Sequence, residues 1–121
     1  MTGKEGEEIA ATFLEQRGYR IVAKNFRSRY GEIDLIAWDQ ETLVFIEVKS
    51  RSSDLFGGPV GGVNHRKQIK IGLVAAGFIQ KEGLWSSPCR FDIVSIVGQP
   101  GEHTVGLLQN AFEAVLPNLT L

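Results

Sequence analysis

Residues 43–51, Leu-Val-Phe-Ile-Glu-Val-Lys-Ser-Arg, constrain this chain more than any other stretch. Leu43 to Val48 are apolar, β-branched or aromatic with one glutamate among them, the pattern of a buried strand. Side chains alternate along a strand, so Phe45, Glu47 and Lys49 share one face and Val44, Ile46 and Val48 the other. A carboxylate in such a place must be paired, metal-bound or neutralised, because an isolated buried charge is costly. Taken alone, Glu-x-Lys reads as an ion pair at a strand's end. Partners elsewhere in the chain decide whether it is more.

The preceding segment supplies one. Gly31 opens a second strand, Glu32 to Trp38, in which Asp34 is the acidic misfit. Asp39-Gln40-Glu41-Thr42 reads as a four-residue hairpin loop joining this strand to the next. That loop sets Trp38 opposite Leu43, Ile36 opposite Phe45 and Asp34 opposite Glu47. Two facing carboxylates repel unless something positive lies between them. A slip of one residue would send Asp34 to the other face.

The remaining segments frame this hairpin. Residues 3–17 have helical spacing in Ile9, Ala10, Phe13 and Leu14, with Gly18 as the stop and Glu7 at the end of the buried stripe. There Glu7 reads as a complement to the helix dipole from the surface. Tyr19 to Phe26 reads as a strand and Arg27–Tyr30 as a polar bend. Residues 52–62 carry four glycines without a phosphate-binding spacing and are expected to form a mobile loop. Asn64 caps a helix running to about Glu82, with Ile69, Leu73, Ala76, Phe78 and Ile79 as its apolar side. Cys89–Val97 is a further strand, Thr104–Leu108 an edge strand, and Asn110–Leu116 a short helical or irregular end.

Composition narrows the class. At 121 residues the chain is read as one domain, residues 1–121. One cysteine excludes an internal disulfide framework and suits a reducing, cytoplasmic setting. The apolar run Ile71–Gln80 falls far short of a membrane span, and no membrane association is expected. A net charge of −1 argues against a protein that coats nucleic acid indiscriminately. Local charge is less even: Arg17, Arg20, Lys24, Arg27 and Arg29 follow one another with no acid between. Arg51, Arg66, Lys67 and Lys70 add to the same sign, as a phosphate-contacting face or as a solvated basic one.

His65, His103 and Cys89 lack zinc-ligand spacing, and no serine or cysteine sits in a nucleophile motif. The carboxylates remain. Asp34 and Glu47 would make an all-oxygen site suited to Mg²⁺ or Mn²⁺, with Lys49 beside it to hold water or neutralise developing charge.

At these residues the chain resembles a known group. Gly31-Glu-Ile-Asp34-Leu-Ile followed by Phe45-Ile-Glu47-Val-Lys49-Ser-Arg51 is similar to the PD-(D/E)xK nuclease superfamily. More closely it resembles the YraN family of uncharacterised bacterial proteins, related to archaeal Holliday junction resolvases. Gly6-Glu7 with Ala10, Gly18-Tyr19, Asn25, Lys67-Gln68 and Arg90-Phe91-Asp92 extend the likeness over nearly the whole chain. The superfamily's proline is replaced by Ile33, and Gly61-Gly62 is unusually permissive.

The resemblance implies an α/β fold with a restriction-endonuclease-like three-layer core, a mixed central sheet flanked by helices in the order α-β-β-β-α-β. It implies metal ligation by Asp34, Glu47 and the Val48 carbonyl, a catalytic Lys49, Glu7 reaching in from the first helix, and Gln68 in support. The expected activity is Mg²⁺-dependent hydrolysis of phosphodiester bonds in DNA, branched or damaged DNA included. Arg27, Arg29, Arg51, Arg66, Lys67 and Lys70 are the candidate phosphate contacts. The alternative is a non-catalytic nucleic-acid-binding module that retains the fold. Symmetric cutting of a junction would need two sites and hence a homodimer.

Overall fold

The computed structural model describes residues 1–52 and 63–114, so the glycine-rich segment 53–62 and the chain beyond 114 lie outside the described residues. Helix α1 (Gly3–Gln16) starts at Thr2, where a capping box satisfies two backbone donors: Glu5 N donates to Thr2 Oγ1 and Thr2 N to Glu5 Oε1. Strands β1 (Arg20–Ser28), β2 (Gly31–Asp39) and β3 (Thr42–Arg51) follow as an antiparallel meander. Helix α2 (His65–Glu82) then crosses over to β4 (Cys89–Gln99), which runs parallel to β3, and β5 (Glu102–Leu108) closes the sheet antiparallel to β4. The sheet order is β1-β2-β3-β4-β5.

The helices lie on opposite faces, giving the expected three-layer, restriction-endonuclease-like α/β core with an added edge strand. Ala10, Ala11 and Leu14 of α1 pack on Leu35, Ala37, Val44, Ile46, Val94 and Ile96. Ile71, Val74, Ala75, Phe78 and Ile79 of α2 pack on Ile36, Leu43, Phe45 and Phe91. The alternation expected for β3 is therefore present, with Val44 and Ile46 toward α1 and Phe45 toward α2. Among the described residues no helix is long and apolar enough to cross a membrane.

Two expectations need correction. The hairpin turn holds two residues, Gln40 and Glu41, because Asp39 pairs with Thr42 across it and Gln40 takes a left-handed φ of 56°. The shorter turn keeps the register, so Trp38 faces Leu43 and Ile36 faces Phe45 as expected. The buried side of α2 keeps Ala76, Phe78 and Ile79 as expected but is shifted in its first half. Ile69 is 45% exposed and Leu73 only half-buried, while Ile71, Val74 and Ala75 face the sheet. Phe78 fixes that shift by meeting Phe26 and Phe45 edge to face, at centroid distances of 5.2 and 6.2 Å.

The turn end of the hairpin is tied down by a polar network. Asp92, fully buried, accepts hydrogen bonds from Arg90 Nε at 2.9 Å, Tyr19 Oη at 3.0 Å and the Asn110 amide at 2.9 Å. Arg90 also reaches Asp39 at 2.7 Å, which links the β2–β3 turn to β4. Burial works against the charged guanidinium, but the hydrogen bonds to Asp92 and Asp39 outweigh it and raise its pKa further. This cluster is structural. It holds the hairpin so that the other end of β2 and β3 is presented in a fixed geometry.

Candidate active site

That other end gathers four chain segments: the start of β2, the carboxyl end of β3, the β1–β2 turn and the first turn of α2. The carboxyl ends of neighbouring parallel strands are where open α/β sheets form their crevices. Asp34, Glu47, Lys49, Arg51 and Lys67 of α2 belong here.

Asp34 sits where the sheet comes apart. The β2–β3 ladder ends at Leu35 and Ile46, and the β1–β2 ladder passes from Lys24–Leu35 to Phe26–Ile33 without pairing Asp34. Its would-be partner on β1, Asn25, has a left-handed φ of 52°. The strand changes phase at this point: Ile33 packs with the α2 cluster, Leu35 with the α1 cluster. Asp34 and Glu47 therefore do not form the directly opposed ladder pair expected from the hairpin register. Instead Asp34 Oδ2 accepts the Val48 amide proton at 2.8 Å. The side chain takes the place of a ladder bond. In a strand the N–H and C=O of one residue point to the same side, so the Val48 carbonyl opens toward Asp34 as well.

The electrostatics follow from this placement. Burial, and then the nearby Glu47 charge, push the Asp34 carboxyl up to about 7, against the lowering effect of the Val48 hydrogen bond. Glu47 is 5% exposed, and its Oε2 lies 3.2 Å from Lys67 Nζ on the first turn of α2. Lys67 and Lys49 are within hydrogen-bonding reach of each other. Burial, the hydrogen bond to Lys67 and the Lys67 charge together lower the Lys49 pKa, against the attraction of Glu47 and Asp34. For Lys67 burial also pulls down, but Glu47 and the bond to Lys49 turn the balance upward.

Glu7 comes in from α1, as expected. The close approach of α1 to β3 depends on Gly6, since a Cβ there would run into Ser50 Oγ. Glu7, Asp34 and Glu32 each offer a carboxylate oxygen, all within 4.8 Å of one another. Glu32 escaped the sequence reading. Its signal was present in Glu-x-Asp, the two-residue spacing that puts both side chains on one side of a strand. Glu32 also pairs with Arg27 at 3.2 Å.

The other candidates fall around this centre. Gln68 donates from Nε2 to the Val63 carbonyl at 3.1 Å, tying down the chain entering α2. Arg29 lies over the Tyr30 ring and donates to its hydroxyl at 2.6 Å. Arg27–Glu32 line a shallow groove of about 480 Å³ at the β1–β2 turn. Arg66 and Lys70 are exposed on α2, and Arg51 is half-buried at the end of β3. Arg17, stacked on Phe13 at 4.3 Å, belongs to the opposite end of the sheet.

Glu7, Glu32 and Asp34 gather as oxygen donors, while Glu47 is turned to Lys67 and lies outside that group; carboxylate donors of this kind match a hard cation such as Mg²⁺ or Mn²⁺ rather than a thiophilic one.

Comparison with known proteins places these motifs in a group. The chain is 46% identical over 112 residues to a UPF0102 protein of Syntrophus aciditrophicus, covering 93% of this chain and 88% of that one. It is 42% identical over 115 residues to a UPF0102 protein of Pseudomonas fluorescens, covering 93% and 94% of the two chains. A UPF0102 protein of Symbiobacterium thermophilum is 45% identical over 113 residues, with coverage of 93% and 96%. Residues 6–96, which span Gly6 in α1 to Ile96 in β4 and so contain the whole carboxylate end, match the family described as "Uncharacterised protein family UPF0102". The chain belongs to this family, the YraN proteins that its motifs resemble.

Proposed function

We propose that this protein is a Mg²⁺- or Mn²⁺-dependent endonuclease that hydrolyses phosphodiester bonds of DNA in the cytoplasm, with branched or damaged DNA as its substrate. The supporting observation is the approach of two carboxylates on adjacent strands, a half-buried Asp34 raised to about 7 and a buried Glu47 in contact with Lys67, beside a Lys49 of lowered pKa. A carboxylate left disfavoured beside a second acid is the kind of perturbed group that gathers at functional sites.

Asp34, Glu47 and the Val48 carbonyl would hold the metal, with Glu7 and Glu32 close enough to orient it or its waters. When bound, such a cation supplies charge neutralisation at the phosphate and lowers the pKa of coordinated water. The protein's own groups do the rest. Lys49 holds the attacking water, and its lowered proton affinity suits it to exchange a proton as the water adds to phosphorus and the opposite P–O bond breaks. Arg27, Arg29, Arg51, Arg66 and Lys70 would grip flanking phosphates and so position the strand. Gln68 supports the site indirectly by fixing the entry to α2.

The test is a panel of four-way junction, flap, nicked and linear DNAs incubated with Mg²⁺ or Mn²⁺, beside Glu47→Ala. Metal-dependent nicking by the wild type alone is expected, with branched substrates cut fastest. DNA binding without such cleavage would favour a non-catalytic module. Two equal cuts across a junction would imply a homodimer.

A further inference from the structure

We infer that Lys67 is an internal counter-ion that occupies Glu47 in the free protein and leaves it for a DNA phosphate, so that divalent metal and DNA bind cooperatively through this one side chain. The inference rests on reading the site as one for metal and DNA.

The two partners are unequal. Glu47 is nearly buried on a central strand, and its backbone is in register with Ile93 of β4, so it cannot move away. Lys67 reaches it at 3.2 Å on a long, flexible stem that is 40% exposed. Swinging outward costs Lys67 one ion pair and no packing of the core.

Its position on α2 favours departure. Asn64 caps the helix by accepting the Lys67 amide proton at 2.9 Å, which makes Lys67 the third helical residue. The first turn contains no acid, and a cation there is opposed by the positive end of the helix dipole. Glu47 is thus what holds the ammonium in place. A phosphate near the start of α2 would satisfy both the lysine and the helix end.

The consequence is competition followed by coupling. A divalent cation on Glu47 competes with the ammonium for the carboxylate and repels it at this distance. Metal binding alone must displace Lys67, and DNA binding alone must break the same pair to recruit it. Once either ligand has done so the other binds without that cost, and the enhancement is reciprocal.

Calorimetric titration of Mn²⁺ into the full chain tests this. Lys67→Gln should bind Mn²⁺ about tenfold tighter than wild type. Lys4→Gln, which removes a surface charge near Glu7, should change affinity by less than about twofold. Metal should tighten DNA binding by wild type and do so less for Lys67→Gln. In the wild type, the Lys67 ammonium resonance should shift when Mg²⁺ saturates the protein, a readout that needs no variant to fold. Unchanged or weaker Mn²⁺ binding by Lys67→Gln, or an unmoved resonance, overturns the counter-ion role while the metal site stands. Absence of Mn²⁺ binding in both proteins at millimolar concentration removes the metal site and the counter-ion role together.

Discussion

Asp34 concentrates the tension in this structure, because its carboxyl is half-buried beside Glu47 and the Val48 amide offsets only part of the cost of charging it. A carboxyl whose folded pKa is raised stabilises the fold while it stays protonated. That contribution is complete below the ordinary carboxylate range and is lost as pH rises through about 7. Thermal unfolding in chelator should therefore show stability falling between about pH 4 and pH 7, by about 4 kcal/mol at most. Asp34→Asn should flatten that fall and be more stable than wild type at pH 8. Divalent affinity should rise with pH up to about 7 and then level, since the ligand must be ionised. The presence of these acids could be read from the sequence, as misfits in apolar strands. That they are not directly opposed could not be read, because the phase change between Ile33 and Leu35 and the left-handed Asn25 leave no local signal.

Among the elements, β4 carries the sharpest dependence on individual residues. Gly98 has a φ of 120° at the β4–β5 hairpin, and a Cβ there would run into the Glu102 carbonyl oxygen. Gly98→Ala should cost about 2 kcal/mol or more in denaturant unfolding, since the obstruction is backbone and cannot rotate away. Arg90→Ala should cost about 3–5 kcal/mol by leaving Asp92 charged and fully buried. Element existence and order were legible throughout, since periodicity, glycine stops and the Asn64 cap mark them locally. The shift in α2 was not. Ile69, Ile71, Leu73 and Val74 spread apolar character around the helix, and only the contacts of Phe78 with Phe26 and Phe45 select the buried side.

Across the whole molecule, the polar network at Asp39, Arg90 and Asp92 and the carboxylate site occupy opposite ends of one hairpin. One end is fully paired; the other leaves a carboxyl disfavoured and surrounds it with movable cations. Arg27, Arg29, Arg51, Arg66 and Lys70 come from three segments that meet only in the fold. Removing one that contacts phosphate should flatten the salt dependence of DNA binding by about one unit. Sequence alone could show their charge but not that the first turn of α2 meets the carboxyl half of β3, as the Lys67–Glu47 contact shows.

The central claim is that this end of the sheet cuts DNA, and nicking of supercoiled plasmid by wild type, Glu47→Ala and Lys49→Ala across a Mn²⁺ titration tests it most directly. The account predicts wild-type nicking that saturates with metal and disappears in chelator, with both variants reduced at least about a hundredfold. Equal cleavage by all three proteins, or none by wild type on any DNA with either metal, would contradict it.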